Sequence, residues 1–83
     1  MDYIEKHDLL MRIAQFIRLE KTGGLEEFAQ KCNIKKDRLF DCIDVLRQII
    51  KRNEANILYD KDRETYYFSP SGKFIDSKFV ADN

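Results

Sequence analysis

The chain has 83 residues, 43% of them apolar and 36% charged, with four tyrosines, six phenylalanines and two cysteines. That length suits one domain spanning 1–83, below the usual ~100–150 residues but rich enough in apolar side chains for a core. No apolar run approaches the roughly 18 residues of a membrane-spanning helix, and 15 basic against 15 acidic residues leave no net charge with which to grip phosphates.

The opening stretch, MDYIEKHDLLMRIA, carries acids and no cationic leader before an apolar segment, unlike a signal peptide. With only two cysteines besides, the chain reads as reduced and cytoplasmic. A first helix is predicted from about Tyr3 to Lys21. Leu9, Leu10, Ile13, Ala14 and Ile17 recur at three- and four-residue spacing, Phe16 broadens the stripe, and the charges fall outside it. Thr22-Gly23-Gly24 then stops the helix.

A short second helix follows from Leu25 to Cys32, with Leu25, Phe28, Ala29 and Cys32 on one face and Glu26 and Glu27 in the first turn, where the dipole favours them. Asn33 suits a left-handed C-terminal position, so the turn is short. The third helix is predicted from about Lys35 to Arg52, burying Leu39, Cys42, Ile43, Leu46 and Ile50. Strands Ile57–Asp60 and Thr65–Ser69 flank the polar loop Lys61-Asp62-Arg63-Glu64, which looks mobile. After a turn at Ser69-Pro70-Ser71-Gly72, Lys73–Val80 reads as a third strand or a tail that packs Phe74, Ile75, Phe79 and Val80 onto the body. The expected fold class is α+β: a three-helix helix-turn-helix with a C-terminal β-hairpin wing.

The pattern resembles the DeoR-type winged-helix domains of bacterial transcription regulators. The matching residues are Leu25, Phe28, Ala29, Cys32, Asn33-Ile34, Leu39, Ile43, Asp44 and Leu46-Arg47, with wing strands Asn56–Asp60 and Tyr66-Tyr67-Phe68. The likeness covers roughly residues 5–69 and is one of apolar pattern. It implies a second helix of the pair that enters the major groove of double-stranded DNA, and regulation by site occupancy. Two departures stand out. The third helix opens on Lys35-Lys36-Asp37-Arg38 without a Ser or Thr cap and has Asp41 where the family often has Arg. The chain also ends at Asn83, without room for the ligand-sensing domain of full-length regulators, so no small-molecule effector is expected.

Residues 21–52 carry eight basic and five acidic groups and form the only net-positive segment. Lys35, Lys36 and Arg38 are the expected phosphate or base contacts, and Lys61 and Arg63 the expected wing contacts. The wing residues have a plainer reading, as a solvated turn cancelled by Asp60, Asp62 and Glu64. Phe40 and Asp41 share the outward face with Asp37, Asp44 and Gln48. Phe40 suits a thymine methyl or base step, a protein-interface anchor, or packing under the wing. Asp41 suits cytosine N4, or else solvent and a neighbouring cation. The acidic-aromatic character of this face supports an alternative, a winged helix that binds protein and not DNA. A lone domain of this charge holds DNA weakly, so a homodimer is expected, through the first helix or the aromatic C-terminal segment.

Cys32 and Cys42 read as small core hydrophobes. With His7 the only histidine, the about four ligands of a zinc site are lacking, so no metal or other cofactor is expected. Gly23-Gly24 lacks the flanking pattern of a phosphate loop, and no nucleophile stands at a recognisable spacing from His7, so no enzyme activity is expected.

Overall fold

The computed structural model describes residues 3–82; Met1, Asp2 and Asn83 of the predicted 1–83 domain lie outside it. Helix α1 (Tyr3–Leu19) buries the predicted stripe of Leu9, Leu10, Ile13, Ala14 and Ile17. It ends two residues short of the predicted Lys21. Glu20 turns left-handed at φ 55°, and its N–H donates to the Ile17 carbonyl at 3.1 Å, so the helix closes before the glycines.

Helix α2 (Leu25–Cys32) buries Phe28, Ala29 and Cys32. Asn33 adopts the expected left-handed conformation (φ 56°, ψ 45°). Its N–H donates to Gln30 O, and that of Ile34 to Ala29 O, which satisfies carbonyls the helix end would otherwise orphan. Helix α3 (Lys36–Ile50) buries Leu39, Cys42, Ile43, Leu46 and Ile50, as its spacing predicts. It stops before Arg52. Lys51–Asn53 tighten into a 3-10 turn, Glu54 turns left-handed at φ 57°, and the Ala55 N–H returns to Ile50 O at 3.3 Å. This compact reversal tucks Ala55 into the core and starts the first strand.

Strands β1 (Asn56–Asp60) and β2 (Thr65–Ser69) pair antiparallel, with Ile57 opposite Phe68 and Tyr59 opposite Tyr66. Chain 73–80 is neither a lone strand nor a tail. It lies in a second antiparallel hairpin, β3 (Gly72–Ile75) with β4 (Lys78–Ala81), joined by Asp76-Ser77. Phe79 is buried and Phe74 half-buried, but Ile75 and Val80 stay 47% and 45% exposed, against the packing expected of all four. Pleating explains the difference, since alternate side chains of a strand point to opposite faces.

Both hairpins lie across α1 and α3: β2 and β3 run beside α1, β1 and β4 beside α3. Phe28 sits fully buried where the layers meet, its ring 5.9 Å from those of both Phe16 and Tyr66. Phe68, Phe74 and Phe79 form a second aromatic knot under the second hairpin, 5.0–6.1 Å apart. Each fully buried large side chain contributes roughly 1.5–3 kcal/mol relative to exposure.

Between α1 and α2, buried Thr22 ties the helices to the first hairpin. Its N–H donates to Thr65 Oγ1 at 3.1 Å, and its Oγ1 accepts the Tyr66 N–H at 2.9 Å and donates to Gly23 O at 2.8 Å. Thr65 Oγ1 completes the set by donating to Tyr66 O at 3.0 Å. Each hydroxyl thus gives one proton and accepts one, and the buried network is satisfied.

Candidate functional site

The chain passes from α2 to α3 through Asn33, Ile34 and Lys35 only. Lys35 is the extended N-cap of α3 (φ −76°, ψ 155°). No side chain caps the helix, and the Lys35 carbonyl accepts the Leu39 N–H at 3.0 Å. The sequence offers no Ser or Thr hydroxyl to cap the early N–H groups of this end. Lys35, Lys36, Asp37, Arg38, Phe40 and Asp41 are all exposed on the first turns of α3, so the structure brings five of the sequence-derived site residues together. Phe40 is 51% exposed and takes no part in the ring pairs of the core. Three cations and two carboxylates lie on this segment, a small positive excess where a groove-binding helix would meet DNA.

Farther along the face, Asp44 is half-buried and pairs with Arg47 at 3.4 Å. Arg47 in turn donates through Nε and Nη2 to Ile57 O at 3.2 and 3.0 Å, locking α3 to β1. Burial pushes the Cys42 thiol up, against a weaker opposing pull from the charges of Arg38 and Lys6. Burial does the same to Cys32. Both thiols are free and buried, and among the described residues no three His, Cys, Asp or Glu side chains converge as a metal centre requires.

Lys61 and Arg63 are placed elsewhere. The β1–β2 turn is tied down, contrary to its mobile look in the sequence. Asp60 Oδ1 accepts the N–H groups of Asp62 and Arg63 at 2.9 and 3.2 Å, and Oδ2 accepts Arg63 Nε at 2.8 Å. Arg63 also pairs with Glu20 at the end of α1 and lies 5.4 Å from the Tyr67 ring centre. Its bond to Asp60 holds that carboxyl below the usual range, helped by the N–H groups of Arg63 and Asp62. Lys61 is exposed.

The approach to α3 lies instead against the opposite half of α1, where Asn33 and Ile34 share a cleft with Glu5, Asp8 and Arg12. Helix α1 is roughly 25 Å long at 1.5 Å per residue, so the two basic groups occupy opposite ends of it. Sequence reasoning did not find the groove between α3 and β4, lined by Val45, Ile49, Phe79 and Val80 and rimmed by Arg52 and Lys78. Its one signal was Asp76-Ser77, a two-residue turn between short alternating segments. Comparison with protein-family models, curated proteins and solved structures gave no match.

Proposed function

We propose that this chain is a winged-helix DNA-binding module of the kind carried by DeoR-type regulators, acting by occupying a DNA site and not by catalysis. The observation that carries the proposal is the three-residue connection that ends α2 and presents Lys35, Lys36 and Arg38 on the exposed first turns of α3. The element order supports it too: a helix, a short helix, a longer helix and the β1–β2 hairpin follow one another as in that family, with the second hairpin as an addition. Phosphates would be met by Lys35 and Lys36 and by the uncapped amide end, with Arg38 and Phe40 nearest the bases and Asp41 facing cytosine N4. Lys61 is the better wing contact, since Arg63 is already held by Asp60, Glu20 and Tyr67.

One observation favours a second reading. Phe40 stands half-exposed between Asp37, Asp41 and half-buried Asp44, which suits an aromatic anchor for a basic protein partner.

Fluorescence anisotropy with mixed-sequence duplex DNA separates the two. DNA binding by about three phosphate contacts gives a log–log salt slope near −3, reduced by roughly one in Lys36→Glu. No binding at about 100 µM protein in low salt, where non-specific binders already register, overturns the DNA reading and leaves the protein-binding one.

A further inference from the structure

We infer that β4 pairs antiparallel with β4 of a second copy of this chain, about a two-fold axis through Val80.

The backbone geometry of the second hairpin identifies the pairing edge. Asp76 and Ser77 both have positive φ (50° and 66°), the signature of a type I′ turn, which makes Ile75 and Lys78 a hydrogen-bonded pair. Alternation then bonds Lys73 to Val80 and turns the N–H and C=O groups of Gly72, Phe74, Phe79 and Ala81 outward. Two contacts agree with this parity: Gly72 O accepts Arg18 Nη1 at 2.9 Å, and the Asp82 N–H donates to Ser71 O at 2.8 Å.

On each of the other three hairpin edges one outward residue is already taken up by a side chain. On β1, Ile57 O accepts from Arg47 and the Ile57 N–H donates to Asn56 Oδ1. On β2 the Tyr66 N–H goes to Thr22, and on β3 Gly72 O goes to Arg18. Among the described residues, Phe79 and Ala81 on β4 have no such partner. Their edge borders the open groove beside α3, about 680 Å³. An unblunted strand edge is a template for another strand.

The residues of β4 select that strand. Pairing Phe79 with Ala81 of the second copy, and the reverse, uses every outward group of both edges; shifts of two residues leave half of them idle. The same register sets Val80 against its own counterpart at the axis and Lys78 against Asp82 of the other copy, twice. These are non-hydrogen-bonded positions, where facing side chains stand closest. Val80 is an exposed apolar residue with no other cover, and Asp82, although bridged to Arg18 at 3.0 Å, keeps acceptor capacity for a second cation. The edge is therefore complementary to itself in hydrogen bonds, shape and charge, as an isologous contact requires. The inference does not depend on DNA binding.

Sedimentation equilibrium of the full chain from about 10 µM to about 1 mM tests it, since a short strand pair is a weak contact. A concentration-dependent dimer is expected, weakened about tenfold or more by Val80→Lys, Lys78→Asp or Asp82→Lys, each of which sets like charges face to face. Mixing the Lys78→Asp and Asp82→Lys chains restores association, because both cross-strand pairs are then opposite in sign. Circular dichroism confirms that each variant is folded. A strictly monomeric chain, a dimer indifferent to Val80→Lys, or no recovery on mixing overturns the pairing. A monomer that still binds DNA overturns this inference alone, and a dimer that ignores DNA overturns the helix reading alone.

Discussion

Replacing Thr22 with valine removes one hydroxyl while keeping the side chain's shape. The Tyr66 N–H, 2.9 Å from that hydroxyl in the wild type, then has no acceptor, and Gly23 O loses its donor. Gly23 is partly open and recovers a water, whereas Thr22 is fully buried. The cost is therefore set by one stranded amide, about 1–3 kcal/mol. For a domain whose total stability is of order 4–12 kcal/mol, that loss is large. At about 4–8 °C per kcal/mol for a chain of this size, the thermal midpoint falls by roughly 4–24 °C. Thr22→Ser is the control. It keeps the hydroxyl and deletes a buried methyl, costing about 0.8 kcal/mol. Urea denaturation followed by circular dichroism measures both. Should valine prove no more costly than serine, the hydrogen-bonded stitch is not what couples the helices to the first hairpin, and packing alone holds them.

Two further changes probe the hairpins. A methyl at Gly72 would collide with Phe79 Cζ and stand 2.6 Å from Val80 O, and a backbone oxygen cannot swing away, so Gly72→Ala is expected to cost about 1–3 kcal/mol in denaturation experiments; an unchanged midpoint would show the hairpin able to shift at no cost. Asp60 is held below the ordinary carboxylate range by Arg63, so its contribution is present at neutral pH and fades as acid protonates it in the folded state. Melts between neutrality and about pH 3 should show Asp60→Asn less stable at neutral pH and less sensitive to acid than wild type; parallel curves for the two would rule out that linkage.

The helices were legible because burial repeats at 3.6 residues along a single segment. Leu9 through Ile17 and Leu39 through Ile50 carry that period, and Asn33 announces its left-handed turn through a side chain that tolerates it. The exposed residues at the start of α3 were legible as well, being what the buried stripe leaves over. Helix ends were less so. Glu20 and Glu54 take left-handed conformations that no composition signals, since the contacts that hold them come from Ile17 and Lys51 carbonyls already in place.

The sequence by itself determined the three helical stripes, the pairing-prone segments of the first hairpin and the cluster Lys35, Lys36 and Arg38 on one short surface. Local periodicity and local charge suffice for those. Only the tertiary structure decided that Arg63 bends back to Glu20, that Thr22 meets Thr65 and Tyr66, and that Arg47 reaches Ile57. It likewise decided that chain 72–81 folds into a hairpin whose β4 edge lies open beside α3. Several of these contacts join residues more than 40 positions apart. Each depends on which groups the packed layers bring within reach of one another, which no local pattern of side chains along the chain encodes.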